Sequence, residues 1–390
     1  MSPRVLILHN RYRQPGGEDV VVGSQAQLLL ERGHDVRLIE KDNREIDRYG
    51  FIKKVLLFYE MSGNPKSAAE VAKAADEFKP DVALIHNFVP LLSPSIYAPL
   101  KRRGVKIVQY LHNYRLVCPA GTLFRDGKPC SLCIDDGLRN AVKYRCWNGS
   151  KLATLGLTRM LDRHRRARTW HTQPDLFVAL NTYQRNLLVK AGAIPAERTI
   201  VQPNFMFAAT TPENPPQPGE GFVYAGRLTP EKGVATLLKA HALLNGIPLV
   251  IFGDGPQREQ LHGGAPVQFP GHRPKAEVDA RIRNSRAVIV PSEWQEVFGL
   301  SIIEAMALGR AVIASRVAGP REIVEDGITG LLFDPGNAEQ LAACLRRLQD
   351  DPQLAVKLGQ AGRERFEKLY SEDAGYRNLQ EVFGRVALGS

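Results

Sequence analysis

Pro291-Ser292-Glu293-Trp294-Gln295-Glu296-Val297-Phe298-Gly299-Leu300-Ser301-Ile302-Ile303-Glu304-Ala305-Met306-Ala307 is the stretch of this 390-residue chain on which the reading of the fold turns. An apolar run, Ala287–Pro291, stops at a proline. An acidic, aromatic loop follows, and a helical pattern opens near Gly299. Strand, loop and helix in that order are the unit of a doubly wound α/β sheet, whose ligands bind outside the carboxyl ends of the strands. The first amides of such a helix, together with its dipole, make an anion seat, and Gly299 lets a phosphate come close. Glu304 lies about five residues into the helix, roughly 7 to 8 Å below that end, and Glu296 precedes it. The two carboxylates therefore flank a phosphate seat, one on the side of sugar hydroxyls and one on the side of a ribose. The competing reading is a pair of solvated charges around a plain turn.

The same alternation extends in both directions. On the carboxyl-terminal side of the chain, strands are expected at Phe222–Ala225, Pro248–Phe252, Val267–Phe269, Ala311–Ala314 and Gly330–Phe333, with helices at Val234–Leu244, Glu277–Asn284 and Leu300–Leu308. Upstream, strands at Val5–His9, Val36–Glu40, Val82–His86, Val105–Leu111, Leu176–Leu180 and Thr199–Gln202 alternate with helices at Asp19–Arg32, Lys66–Phe78 and Thr182–Ala191. The fold class is α/β with parallel sheets. Pro212, Pro215, Pro216 and Pro218 between Thr210 and Gly221 interrupt the pattern and mark a linker. The expected organisation is a first domain over 1–206, a linker over 207–221, a second domain over 222–372 and a terminal helix over 373–390 that packs back on the first domain. At about 150 residues per domain, the length agrees with two domains.

Two further loops fall after strands of the second half. Gly226-Arg227-Leu228-Thr229-Pro230-Glu231-Lys232-Gly233 projects two permanent cations, which suits a diphosphate. Gly253-Asp254-Gly255-Pro256 is a second tight loop on the same sheet edge.

Charge adds a second axis. Residues 101–206 hold 19 basic and 6 acidic side chains, whereas 1–100 are balanced at 13 each and 207–390 hold 20 and 22. A basic surface of this kind attracts phosphates in a nucleotide, a lipid or a nucleic acid. The sequence has no recognised nucleic-acid module and no aromatic interleaving among its cations, so nucleic acid is not expected as a partner. No apolar run approaches the ~18 to 20 residues of a membrane helix, and His9, Asn10 and Arg11 cut the first apolar run short. A cytoplasmic protein is expected.

The order of these motifs resembles the retaining glycosyltransferases of family 4. The likeness rests on Gly226-Arg-Leu-x-Pro-Glu-Lys-Gly233, Gly253-Asp-Gly-Pro256, and the Glu296 and Glu304 pair within Pro-Ser-x-x-x-Glu-x-Phe-Gly-Leu. It extends to Pro15-Gly16-Gly17-Glu18, Pro203-Asn204, Ala318-Gly319-Pro320-Arg321-Glu322 and Asp326-Gly327-x-x-Gly330, and so covers almost the whole chain. It implies a GT-B fold, two Rossmann-like doubly wound domains facing each other across a cleft. The donor nucleotide-sugar (UDP-, GDP- or similar) would sit on the second domain, and a glycan or lipid-linked acceptor on the first.

By the same resemblance Arg227 and Lys232 bind the donor diphosphate, Glu296 the transferred sugar and Glu304 the ribose. Gly253, Asp254 and the amides around Phe298, Gly299 and Leu300 complete the donor seat. Gly16 and Gly17 bring backbone close to the phosphate, and His112 faces the sugar; a packed structural histidine is the other reading of His112. Arg227, Lys232 and the helix amides would stabilise the leaving diphosphate with no cofactor and no divalent metal in catalysis. Retention could proceed by front-face transfer or through Glu296 as covalent nucleophile. Transfer to a small soluble acceptor and a non-catalytic phosphate- or nucleic-acid-binding protein are the alternative functions.

Two features fall outside that pattern. Cys118, Cys130, Cys133 and Cys146 crowd into 29 residues as Cys-x11-Cys-x2-Cys-x12-Cys, the arrangement of a closed structural zinc site or of ordinary reduced thiols in an insertion spanning about 115–150. Lys143, Arg145, Lys151, Arg159, Arg163, Arg165 and Arg166 lie between Arg139 and Arg168, with only Asp162 opposed. Leu157, Met160, Leu161 and His164 recur there at helical spacing. That stripe either packs on the first domain or lies on an anionic membrane surface, making the protein peripheral on the inner face.

Overall fold

The structure, a computed structural model, describes residues 2–14, 16–207, 217–244 and 246–388. Pro15 and the linker prolines Pro212, Pro215 and Pro216 lie outside the described residues. Fourteen strands follow in chain order among the described residues. They are β1 Val5–Arg11, β2 Val36–Asp42, β3 Val82–Ile85, β4 Lys106–Leu111, β5 Phe124–Arg125, β6 Lys128–Pro129, β7 Leu176–Ala179, β8 Thr199–Val201, β9 Phe222–Ala225, β10 Leu249–Phe252, β11 Val267–Gly271, β12 Ala287–Val290, β13 Ala311–Ser315 and β14 Leu331–Phe333. Two compact units result, one of Met1–Leu123, Ser131–Pro203 and Gly375–Ser390, the other of Phe124–Cys130 and Asn204–Ala374.

In the first unit six parallel strands lie in the order β2-β1-β3-β4-β7-β8. Val5 through Leu8 and Val82 through Ile85 are fully or almost fully buried because helices cover both faces of the sheet. Helix Gly17–Glu31 leaves the end of β1, and the Asp19 carboxylate accepts the Gly16 N–H at 2.7 Å to close its first turn. Asn64 caps helix Pro65–Phe78, accepting from the N–H groups of Lys66 and Ser67, with Pro65 at the first helical position. The terminal helix Glu372–Leu388 belongs to this unit from Gly375 onward, where Tyr376 OH meets His34 Nε2 at 3.1 Å and Gln202 donates to Asn378 O.

Helix Lys151–Arg166 takes the first of the two roles open to its apolar stripe. Leu157, Met160 and Leu161 are buried in the unit, and His164 bonds Thr169 Oγ1 and Ser62 O. The stripe is therefore core, and the exposed side of the helix carries its cations. Helix Phe51–Glu60 has no counterpart in the sequence reading. Its run of seven apolar and two basic residues before Glu60 shows no single inward stripe that periodicity could detect.

The second unit has the strand order β11-β10-β9-β12-β13-β14, again parallel. Ala287 pairs with Phe222, so the two central strands β9 and β12 are neighbours in space although two strands separate them in sequence. Chain order reverses there. Phe222, Leu237, Leu249, Ile289, Ile313, Phe333, Leu341 and Leu358 belong to its core.

Candidate functional site

The place between β9 and β12 is the topological switch point of the second sheet, where loops leaving in opposite directions open a crevice. From β9 comes Gly226–Gly233, ending in a short turn Pro230–Lys232. From β12 comes Pro291–Gly299, feeding helix Leu300–Ala307. Gly233 has φ +69° and packs so closely on Pro291 that an added Cβ would overlap the Pro291 carbonyl oxygen. The glycine therefore welds the two loops together. Glu293 N–H donates to Glu231 O at 2.9 Å, and Thr236 Oγ1 donates to Glu293 Oε1 at 2.6 Å across the same seam.

Two predicted residues meet inside it. Lys232 Nζ donates to Glu296 Oε1 at 2.5 Å, and Ser292 Oγ donates to the other carboxylate oxygen. Glu296 is only 7% exposed, so it is not a solvated charge beside a turn. Its backbone is pinned as well, since its N–H donates to Trp294 O and its carbonyl accepts from Gly319 N–H. Lys232 Nζ also stands 5.6 Å from the Trp294 ring centre, within cation–π range. The Trp294 indole N–H is buried with no acceptor among the described residues.

Arg227 is exposed on the same loop, which is held by Tyr224 OH donating to the Arg227 carbonyl at 2.7 Å. Burial beside Glu296 and Glu231 pushes the Tyr224 phenol far up, so it stays a neutral donor. The Gly253–Pro256 loop braces the first one: Leu228 N–H donates to Asp254 O at 2.8 Å, and Gln257 N–H to Leu228 O at 3.1 Å. Asp254 is exposed and accepts from Gly255 N–H at 2.7 Å.

Gly299 has φ +110° and caps helix Leu300–Ala307; Ile302 N–H donates back to Gly299 O, while the opening amides of Leu300 and Ser301 come before any helical acceptor. Val297, Phe298 and Gly299 are buried. Glu304 is the fifth residue of that helix and meets a partner not foreseen from its motif, Lys275 Nζ at 3.3 Å. Burial alone would lower the Lys275 ammonium, but Glu304 and Asp279 outweigh it and raise its pKa. Ser292 and Lys275 are the members of this site that motif reading missed. Ser292 lies in the quoted stretch four residues before Glu296, whereas nothing in the sequence linked Lys275 to Glu304.

The first unit builds a separate polar cluster at the carboxyl ends of β1, β3 and β4. His86 Nδ1 and His112 Nε2 are 2.8 Å apart, and the rings of His86, His112 and Tyr110 lie nearly parallel and in mutual contact. His9 Nε2 meets Asp19 Oδ1 at 2.9 Å, and Tyr12 OH donates to Glu18 Oε2 at 2.8 Å while accepting from Asn113 Nδ2. Burial, with His9 nearby and despite Asp19, lowers the His112 imidazole to about 3. Burial with His112 and His9 holds His86 well below the usual histidine value. Burial raises Glu18 against the opposing pull of His9, Tyr12 and Arg115. His112 is thus a neutral hydrogen-bonding ring at neutral pH, set by a second histidine that the sequence did not single out. Gly16 caps the Gly17–Glu31 helix within this cluster.

Among the described residues, no group of three or more His, Cys, Asp or Glu side chains is placed to hold a metal ion. Cys118, Cys130, Cys133 and Cys146 form no such group as they stand, and none of the five cysteines is in a disulfide. No helix of the described residues is long and apolar enough to cross a membrane.

Residues 15–206 match the profile of "Glycosyltransferase Family 4" and residues 210–365 that of "Glycosyl transferases group 1". The chain is 30% identical over 177 residues to alpha-D-kanosaminyltransferase of Streptomyces kanamyceticus, covering 43% of this chain and 46% of that one. It is 33% identical over 161 residues to the lipopolysaccharide core biosynthesis glycosyltransferase LpsE of Rhizobium meliloti, covering 38% and 45%. The chain thus spans less than half the length of these curated relatives. The crystal structure of Anabaena HepE in complex with UDP superposes with a TM-score of 0.67 at 18% identity, over 98% of this chain and 99% of that one. The fold is GT-B, with two Rossmann-like units of parallel sheet.

Proposed function

Because the chain belongs to the group 1 and family 4 glycosyltransferases, we propose that it is a retaining enzyme that moves a hexose-type sugar from a nucleotide diphosphate donor. The acceptor we assign is a cell-surface polysaccharide or a lipid-linked glycan precursor. A relative in lipopolysaccharide core biosynthesis supports that acceptor class, and UDP bound to HepE supports a uridine donor. The observation that carries the reading is the switch point of the second unit, where Lys232, Glu296 and the start of helix Leu300–Ala307 share one seam.

In this reading Arg227, Lys232 and the amides of Phe298, Gly299 and Leu300 receive the diphosphate as the bond between the sugar anomeric carbon and the phosphate oxygen breaks. Charge builds on that oxygen, and cations already in place lower the barrier without reorganising. The acceptor oxygen bonds the same carbon from the same face, and its proton passes to the departing phosphate. Glu296 holds sugar hydroxyls, Glu304 the ribose, and Gly253 and Asp254 shape the loop behind the phosphates. From the first unit, Gly16 and Gly17 offer backbone to the phosphate and His112 a neutral ring to the sugar. No divalent metal takes part in the transfer. A structural zinc on Cys118, Cys130, Cys133 and Cys146 is a separate proposal, and it requires those thiols to draw together.

We place the enzyme in the cytoplasm, peripheral on the inner face of the membrane, where a lipid-linked acceptor resides. The test is a thermal-shift screen of UDP, GDP and ADP followed by turnover of the matching nucleotide-sugar. One nucleoside diphosphate should raise the melting temperature and its sugar adduct be consumed. No stabilisation by any of them, with no turnover, overturns the reading.

A further inference from the structure

Helix Phe51–Glu60 turns its apolar side the wrong way for a core helix. Leu57 and Met61 are buried beneath it, and Gly156 of helix Lys151–Arg166 clamps it there, since a Cβ at Gly156 would run into Phe58 and Met61. Yet on the opposite side Phe51 is 82% exposed, Ile52 75%, Leu56 51% and Tyr59 57%. The neighbouring helix adds Leu152 at 60% and Leu155 at 44%. Six large apolar side chains on two packed helices are far more than the scattered exposure ordinary on a soluble surface.

Cations frame the patch. Arg159 lies over Tyr59 at 5.2 Å and Phe58 at 5.8 Å, joining the two helices, and Arg163 and Arg166 continue its exposed line one and two turns on. Lys53 and Lys54 are exposed on helix Phe51–Glu60 itself. We propose that this face is a docking surface for an anionic lipid bilayer, with Phe51, Ile52 and Leu56 entering the acyl boundary and the arginines meeting lipid phosphates. The inference deepens the membrane part of the reading above and relocates its contact. The buried stripe of Leu157, Met160 and Leu161 cannot reach a membrane, whereas this face can.

Charge selects the occupant. The stretch 101–206, which supplies helix Lys151–Arg166, carries 19 basic against 6 acidic side chains. A second copy docking through the same face by two-fold symmetry would set like charges against each other. An anionic leaflet complements the cations and accepts the apolar residues at once. Nucleic acid would pair with the cations and leave Phe51 and Ile52 in water.

The experiment uses the full chain with phosphatidylglycerol and phosphatidylcholine vesicles, read by sedimentation. Wild-type protein should sediment with the anionic vesicles at low salt and be released by high salt. Each surface cation near such a leaflet strengthens binding about fivefold, so the triple change Arg159→Ser, Arg163→Ser, Arg166→Ser should weaken it on the order of 100-fold. The triple change Phe51→Ser, Ile52→Ser, Leu56→Ser should weaken it at least tenfold, and since these side chains lie at the surface the variant should keep its melting temperature. No anionic binding by wild type, equal binding to neutral vesicles, or two variants that bind like wild type each overturn the proposal. So does a dimer in sedimentation velocity that the apolar variant abolishes. Nucleotide binding, measured on the same variants, is independent of this face. Loss of sugar transfer as a reading would leave vesicle binding standing, and loss of vesicle binding would leave the transfer reading standing.

Discussion

Lys232 Nζ and Glu296 Oε1 stand 2.5 Å apart across the seam between the β9 and β12 loops, with Glu296 almost wholly buried. The pair ties together the two residues given separate duties, one toward phosphate and one toward sugar. In the proposed reading, a donor that reaches Lys232 would share it with Glu296, and the carboxylate would be held where the sugar joins the leaving group.

Glu296→Gln keeps the shape and removes the charge. We expect kcat to fall on the order of 100- to 1000-fold, the scale of losing one preorganised group, with affinity for the free nucleoside diphosphate within a few-fold of wild type. Single-turnover kinetics and calorimetry separate the two. Unchanged kcat rejects Glu296 as a group that acts on the transferred sugar.

Glu304 predicts the opposite division. Glu304→Ala should weaken the free nucleotide about tenfold or more, the cost of a charge-assisted hydrogen bond, before any effect on chemistry. Lys275, 3.3 Å from it, should matter less, since Lys275→Ala frees the carboxylate without removing it. If Glu304→Ala binds the nucleotide like wild type, the ribose role is wrong.

Because the cations assigned to the leaving group are side chains, donor turnover should persist through a short incubation in EDTA. Activity lost there and restored only by Mg²⁺ or Mn²⁺ overturns the mechanism. Elemental analysis of the same preparation answers a different question: about one zinc per chain is expected if the four cysteines close on a metal. Metal-free folded protein with all four thiols alkylatable rejects that site.

The alternation of β-branched runs and helices announced both parallel sheets, and the loops after β9 and β12 were legible because strand ends and glycines carry local signals. Gly233 is an example, since its left-handed φ and its contact with Pro291 both demand a residue without a side chain. What sequence could not supply was pairing at a distance. Lys232 and Glu296 are 64 positions apart, and only the reversal of strand order brings their loops together. Helix Phe51–Glu60 escaped for another reason. Its exposed apolar face gives the inward stripe no contrast, and periodicity detects contrast. His86 was invisible as a partner of His112 because it closes an ordinary strand pattern, and neither position signals that the two rings stack.

That histidine pair sets a pH dependence whose sign follows from burial. In the unfolded chain His112 titrates near 6.5, and in the folded protein burial and the neighbouring His9 bring it to about 3. Between those values the unfolded chain binds a proton that the native ring refuses. Its contribution to stability is therefore complete above about 6.5 and drains away as the pH falls toward 3. His86, also lowered, adds in the same direction, and Asp19, lowered by His9 and by the Gly16 and Tyr12 amides despite desolvation, adds at the acid end. Glu18 runs the other way, because its raised pKa favours the native state only while it is protonated. Two lowered histidines act against one raised carboxylate above pH 4.5, so the melting temperature should fall from pH 7.5 to 4.5. His112→Asn should flatten that slope, and nitrogen chemical shifts should show the His112 ring neutral at pH 5. A ring that titrates near 6.5 in the folded protein would mean that His112 is hydrated and charged near neutrality, and it would remove both the acid sensitivity and the neutral hydrogen-bonding role assigned to it.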